Sequence, residues 1–336
     1  MNDMVKKMRN ETDVSVVMPV YKVEKYIEES VKSICEQNFF GEYELILVDD
    51  GSPDLSIYKA EAVIKRYPKM NYRVVHKENG GLPSARNYGL NFIAGKYVCF
   101  IDSDDIIEEH HIQKLFDLCE EHELIASYAD FELTKESNRN GKDFNDEGYE
   151  IIKRKELLDG FLTRELKIHC CSILFNTSYL HECELCFNEK LKYGEDIEFM
   201  WRLFPKLSQI GHVKVKTYKY LQRPNSIMTS QSNDKIVILC NEFRKVVDYN
   251  LNHYPEDKRI FEMLMGKAQL AFIKTAAETS KYDVFTSLLT LLNYKDNIIL
   301  LNQIDSKKIR VLSWILLQNP MIFYIIVNIA RKVKKI

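Results

Sequence analysis

Four short apolar runs, the first ending at Pro19 and the other three running into polar segments, limit what this chain can fold into more than any other feature. The runs at 14–18, 43–48, 72–76 and 96–101 are rich in β-branched and aromatic side chains. Between them lie segments with apolar residues at helical spacing: 24–37, a stretch carrying Ala60, Val63, Ile64 and Tyr67 up to Pro68, and 83–93. Strand and helix alternating over roughly the first 105 residues predict a parallel, right-handed α/β sheet, whose ligand lies beyond the carboxyl ends of the strands. Those ends carry Pro19-Val20-Tyr21, Asp49-Asp50-Gly51-Ser52, Asn79-Gly80-Gly81 and Asp102-Ser103-Asp104-Asp105, so one crevice collects polar groups that are far apart in sequence.

Beyond Asp105 the pattern is less regular. It reads as a helix at 112–123, a strand within 124–133, a polar loop at 138–148 and a strand at 213–221. Ile197, Met200, Trp201 and Phe204 form a helical apolar stripe directly after Gly194-Glu195-Asp196. From about 233 onward the segments are helical. The expectation is a mostly parallel central sheet flanked by helices over 13–226, followed by a helical C-terminal region over 232–336.

With 336 residues, 46% of them hydrophobic, the chain can bury a large core and carry a helical annex. Lysine and arginine total 47 against 49 acidic residues, which points away from nucleic acid as a partner. No G-x-G-x-x-G follows the first strand, against a dinucleotide fold. Residues 1–13 are polar and lack the apolar core of a secretion signal, so a cytoplasmic location is expected. Of eight cysteines, Cys35, Cys99 and Cys119 fall in apolar-periodic segments and read as reduced, buried thiols. Cys183 and Cys186, with Cys170 and Cys171 upstream, are too irregularly spaced to favour structural zinc.

Asp102 and Asp104 lie two apart at a strand end, where alternation puts both on one side, suited to a hard divalent cation such as Mg2+ or Mn2+. A solvated, helix-capping turn is the plain alternative. However, three carboxylates following an apolar strand repel one another unless a cation or donors relieve them. A carboxylate in 49–52 can accept hydrogen bonds from a ribose or a pyrimidine edge, although the same run also makes an ordinary turn. Gly80 offers flexible backbone and Arg86 a cation beside a phosphate site. Glu195 and Asp196 open a helix, which suits simple helix-start charge or a carboxylate held ionised near an acceptor hydroxyl.

Taken together, Val16-Val-Met-Pro-Val-Tyr21, Leu47-Val-Asp-Asp-Gly-Ser52, Glu78-Asn-Gly-Gly-Leu-Pro-Ser-Ala-Arg-Asn87, Phe100-Ile-Asp-Ser-Asp-Asp105 and Tyr193-Gly-Glu-Asp-Ile197 resemble the family 2 glycosyltransferases of the Rossmann-like GT-A fold. The resemblance covers about the N-terminal two-thirds and nothing beyond Ser226. It implies that Pro19, Tyr21 and Glu24 line a nucleotide pocket and that Asp50 recognises the base, usually uracil. It further implies that Asp102 faces ribose and metal, with Ser103 beside it, that Asp104 is the main metal ligand of a D-x-D element, and that Gly80 and Arg86 sit near the diphosphate or donor sugar. Asp196 resembles the general base of an E-D element, with Glu195 beside it at the donor, which makes the reaction an inverting single displacement. The segment from Tyr220 through Arg223 to Ser226 resembles a late element that closes over the diphosphate. Lys22 stands where many relatives have asparagine. The implied partners are a UDP-sugar donor and a saccharide or lipid-linked saccharide acceptor used in cell-surface polysaccharide biosynthesis. The rival readings are a sugar nucleotidyltransferase, for which residues 19–24 supply no basic glycine-rich loop, and a non-catalytic sugar-nucleotide-binding or scaffold protein.

The tail at 311–330 is apolar, broken by Gln318-Asn319-Pro320 and flanked by lysine and arginine. Its runs fall short of the roughly 20 residues a spanning helix needs. It reads as a segment lying on the inner face of the cell membrane, or as a helical pair packed on the catalytic domain. The helical region as a whole is expected to contact acceptor, membrane or a second subunit of a homo-oligomer.

Overall fold

A computed structural model of the chain describes residues 12–135, 148–222 and 233–333. The expected alternation is present as β1 (Val14–Val20), α1 (Ile27–Cys35), β2 (Tyr43–Asp49), α2 (Ser56–Ile64), β3 (Asn71–His76), α3 (Leu82–Leu90) and β4 (Tyr97–Phe100). β1 pairs in parallel with β2 and β4, and β2 with β3, so all four carboxyl ends point the same way. Every residue of β1 and β4 is buried, as their predominantly apolar sequences, broken only by Ser15, require of strands covered on both faces. The helix expected from residue 24 begins only at Ile27, because Glu24 is spent on a turn. Its carboxylate accepts from Leu55 N at 3.3 Å and its own amide donates to Asp54 at 3.3 Å.

After β4 come β5 (Ile106–Ile107), α4 (His111–Glu121), β6 (Ala126–Thr134), β7 (Tyr149–Lys153), α5 (Arg154–Thr163), β8 (Ile173–Asn176), α6 (Thr177–Glu182), α7 (Glu195–Leu203) and β9 (Gln209–Leu221). They extend one sheet in the order β3-β2-β1-β4-β8-β6-β9-β5, with β7 on β9. β8 lies antiparallel to both β4 and β6, which ends the parallel half. Strands as short as β5 and β8 show no sequence period and were not expected. The predicted polar loop at 138–148 lies almost wholly outside the described residues.

A second cluster of polar groups supports the β7/β9 edge. The His212 ring stacks on Tyr128 at 4.4 Å, and its two nitrogens meet Glu150 at 2.9 Å and Asp130 at 3.0 Å. Two carboxylate acceptors require both nitrogens to donate, so the imidazolium is the form that fits. Burial opposes the charge, but hydrogen bonds to Asp130 and Glu150 outweigh it and raise the pKa above the ordinary histidine value. The folded state therefore binds this proton more tightly than the unfolded chain. That stabilisation is complete below the unfolded pKa and is lost as pH rises through the elevated one. His212→Gln should cost about 1 kcal/mol in mildly acidic buffer, and its difference from the parent in urea midpoint should shrink on the alkaline side. A pH-independent difference would show that the ring stays neutral.

The remaining chain forms α8 (Asn233–His253), α9 (Lys258–Thr279), α10 (Tyr282–Leu292), α11 (Lys295–Leu300), α12 (Lys307–Gln318) and α13 (Pro320–Val333). α8 docks on α7, with Trp201 edge-on to Phe243 at 4.6 Å and Asn250 donating to Trp201 O at 3.0 Å. The buried side chains of the sheet and of these helices form one continuous core.

Candidate active site

The site is built around a buried guanidinium. Arg86 rides on α3, which lies close against the sheet at Gly89, where a Cβ would come within 2.5 Å of Val17. Only 2% of the Arg86 side chain is exposed. Its Nη2 donates to Asp102 Oδ1 at 2.8 Å and to Cys171 Sγ at 3.3 Å, its Nη1 donates to Glu195 Oε1 at 3.3 Å, and its plane sits 5.0 Å from the Phe187 ring centroid. Arg86 thus ties the acidic loop after β4 to the first turn of α7. Burial works against the charge, yet Asp102 and Glu195 keep the guanidinium firmly protonated. Burial would raise Asp102, but the charge and hydrogen bond of Arg86 hold it below the usual carboxylate range. Burial, and then the charge of Asp196, push Glu195 up to about 7 in spite of Arg86.

α7 starts where Gly194, at φ 75°, makes a left-handed turn that side-chain-bearing residues rarely adopt. That turn leaves Glu195 buried and Asp196 half-buried. Asp196 Oδ1 accepts from Ile197 N at 2.8 Å, and among the described residues Asp196 makes no ion pair with a side chain. Asp102, Asp104, Asp105 and Asp196 all act on the Tyr220 hydroxyl, which burial first, and then these charges, push up to about 12. The acids at 102–105 and at 196, far apart in sequence, are therefore close neighbours in the fold.

Among the neighbours of these acids, His169 gave no usable sign in the sequence. His169 is packed among Phe131, Tyr218 and Tyr220 at centroid distances of 5.3, 5.2 and 5.0 Å, and its buried Nδ1 has no hydrogen-bond partner among the described residues. Burial lowers its pKa although Asp102 and Asp196 pull the other way. Cys170 and Cys171 follow it as buried thiols beneath Arg86, and burial pushes both up. Asp105 accepts from Tyr218 Oη at 2.6 Å and from Leu221 N at 2.8 Å, latching the end of β9 to the acidic loop. Asn87 pairs with the backbone of Phe187 through its amide, Nδ2 to O at 2.8 Å and N to Oδ1 at 2.7 Å.

Just past the end of β2, Asp50 is 3% exposed at the side chain. It accepts from Lys77 Nζ at 2.7 Å, Asn79 Nδ2 at 3.1 Å, Gly80 N at 2.9 Å and Gly81 N at 2.8 Å. Both oxygens thus shape the glycine loop, a duty the sequence did not suggest for a base-recognising carboxylate. Lys22 N donates to Ser52 Oγ at 2.9 Å, joining the ends of β1 and β2. Pro19 is buried, Ser103 and Asp104 are nearly so, and Tyr21 is 41% exposed with the Lys22 ammonium 5.0 Å from its ring. Arg223 lies outside the described residues. An open depression of about 710 Å³ between Lys190 and α8, lined by Asn241, Glu242, Lys245 and Asp248, includes none of the acids at 50, 102–105, 195 or 196.

Among known proteins, the model of Glycosyl transferase family 2 matches residues 15–182, half of the chain. Over 227 residues the chain is 32% identical to the minor teichoic acid biosynthesis protein GgaB of Bacillus subtilis (strain 168), covering 66% of this chain and 24% of that one. Over 217 residues it is 30% identical to the uncharacterized glycosyltransferase EpsJ of the same organism, covering 64% and 62%. The chain therefore spans under two thirds of the length of either relative. Its fold is similar to S. aureus TarS 1–349 solved in complex with UDP-GlcNAc, with a TM-score of 0.71 at 20% identity over 96% of this chain and 92% of that one. It is also similar to the mannosyltransferase PcManGT from Pyrobaculum calidifontis in complex with GDP-Man and Mn2+, with a TM-score of 0.52 at 15% identity over 94% and 86%. The order of the motifs, their gathering at one edge of a GT-A sheet and the reach of the family match agree, and the chain belongs to glycosyltransferase family 2.

Proposed function

We propose that the chain is an inverting hexosyltransferase that moves a sugar from a UDP-sugar to a hydroxyl of a saccharide or lipid-linked saccharide in cell-surface polysaccharide biosynthesis. The observation that carries this reading is the division of labour between neighbouring acids: Arg86 occupies Glu195 and one oxygen of Asp102, whereas Asp196 stands beside them without a cationic partner among the described residues. Asp196 would take the proton of the acceptor hydroxyl as that oxygen bonds to the anomeric carbon, while the bond to the diphosphate breaks on the opposite face. Pro19, Tyr21 and the loop held by Asp50 would form the uridine side, and Gly80 the approach to the diphosphate. UDP-GlcNAc in TarS and the teichoic acid role of GgaB support the donor and acceptor classes.

The donor set suits Mn2+ or Mg2+. Among the described residues no group of three or more His, Cys, Asp or Glu side chains is arranged to hold a metal, and Mg2+ in particular is commonly bound by one or two carboxylates with substrate phosphates completing the shell. Asp104 and the second oxygen of Asp102 would be those carboxylates. A bound cation would neutralise charge on the departing diphosphate.

Thermal unfolding with a panel of nucleoside diphosphate sugars tests this. A UDP-sugar at a hundredfold excess over its Kd should stabilise the protein by about 2.7 kcal/mol, a shift of several degrees, and chelation with EDTA should remove most of it. A shift with a donor but no transfer or hydrolysis under any cation would leave a binding or scaffold protein. No shift with any nucleotide sugar would end the proposal.

A further inference from the structure

The outer face of the last two helices is apolar, fixed in place and fringed mostly by cations, the exposed Asp305 ahead of α12 being paired with Arg310 at 3.9 Å. α13 is pinned from its inner side: Phe323 and Val327 are buried, Tyr324 Oη donates to Ser280 O at 2.8 Å, Asn328 Nδ2 donates to Ala277 O at 2.9 Å, and Arg331 donates to Glu278 O. The opposite side presents Met321, Ile322, Ile325, Ile326, Ile329 and Val333, all between 38% and 67% exposed. These positions recur at helical spacing and make one stripe. α12 adds Val311 and Trp314, the latter 57% exposed, while its Leu316 is buried against the fold. So many large aliphatic side chains in one stripe mark an interaction surface rather than scattered surface residues.

The charge around this face selects the partner. Residues 306–336 carry seven lysines and arginines and no aspartate or glutamate, in a chain whose formal net charge is −2. Lys307 and Lys308 at the start of α12 and Arg331 and Lys332 at the end of α13 are exposed. A second copy of the chain docked here would bring two such cationic fringes together. An anionic lipid surface instead offers apolar depth to the isoleucines and phosphate to the lysines. Among the described residues no helix is long and apolar enough to cross a membrane. At 1.5 Å per residue α13 is about 21 Å long, shorter than the roughly 30 Å hydrocarbon core.

We propose that α12 and α13 form a preassembled foot that seats the chain on an anionic lipid surface, with α13 lying in the headgroup boundary. The inference does not depend on which sugar nucleotide the crevice accepts.

Flotation of the full chain with vesicles tests it. The protein should float with phosphatidylglycerol-rich vesicles, should stay behind with pure phosphatidylcholine, and should be released as salt is raised. The Ile326→Glu, Ile329→Glu double variant should lose at least tenfold of the bound fraction while keeping the parental unfolding midpoint, since both side chains face away from the fold. Lys307→Gln combined with Lys308→Gln, which leaves the apolar stripe intact, should weaken binding and flatten its salt dependence. Failure of the parent to float with anionic vesicles would overturn the proposal. So would light scattering that shows a lipid-free dimer which the double isoleucine variant converts to monomer, because the face would then be a protein interface.

Discussion

Asp196→Asn should lower turnover by about 10²- to 10⁴-fold, the usual worth of a positioned general base, while the thermal shift produced by the donor stays near its parental size. The substitution is mild structurally, because the asparagine oxygen can still accept the hydrogen bond that Ile197 N gives at 2.8 Å. What it removes is the capacity to hold a proton. Glu195→Gln is the necessary companion. Burial and Asp196 lift Glu195 to about 7, a value that suits a base chemically, but its carboxylate is turned toward Arg86. A Glu195→Gln enzyme should therefore suffer first in stability. If Glu195→Gln abolished transfer and Asp196→Asn left turnover unchanged, the two roles would have to be exchanged.

Arg86→Ala should cost about 3–5 kcal/mol of folding stability, because Asp102 and Glu195 would remain in the interior without their cation. Against a usual total of about 5–15 kcal/mol this is a large share, readable as a fall in the urea midpoint. Arg86→Lys keeps one charge but cannot send separate donors to two carboxylates, so it should recover only part of the loss. Arg86→Met with Glu195→Gln should also recover part, since one of the stranded charges is gone. A cost below about 1 kcal/mol for Arg86→Ala would mean that the guanidinium contributes little to holding the two acids together.

The sequence disclosed most where local pattern and burial coincide. β1 and β4 are apolar runs interrupted only by Ser15, and runs of that kind fit strands covered on both faces, so the parallel half and its acidic carboxyl edge could be read directly. β8 has four residues and β5 two, too few to show a period, and the antiparallel turn of the sheet was hidden for that reason. Arg86 was recognisable as a cation of the site, but its burial and its two acidic partners follow from the close seat of α3 at Gly89. His169 lay in a His-Cys-Cys run that drew attention only to thiols, and its place between the acids depends on contacts made across the sheet. Asp50 looked like a ligand-facing group, whereas four donors from the chain itself converge on it. For the C-terminal tail, one side of α13 packs on the protein, as the reading of a helical pair expected, and the other is exposed.

Asn87 has an effect on chain mechanics. Between the last residue of α6, Glu182, and the first of α7, Glu195, the backbone runs twelve residues without regular structure. The Asn87 side chain clasps Phe187 as a strand neighbour would, dividing that contour into spans of four and seven residues, which Arg202 donating to Cys186 O and Asn188 donating to Glu242 help to hold. Shortening a loop by half changes its closure entropy by only about 0.6 kcal/mol, so the gain in stability is small. The larger gain is in reach: the tether leading to Asp196 has less slack.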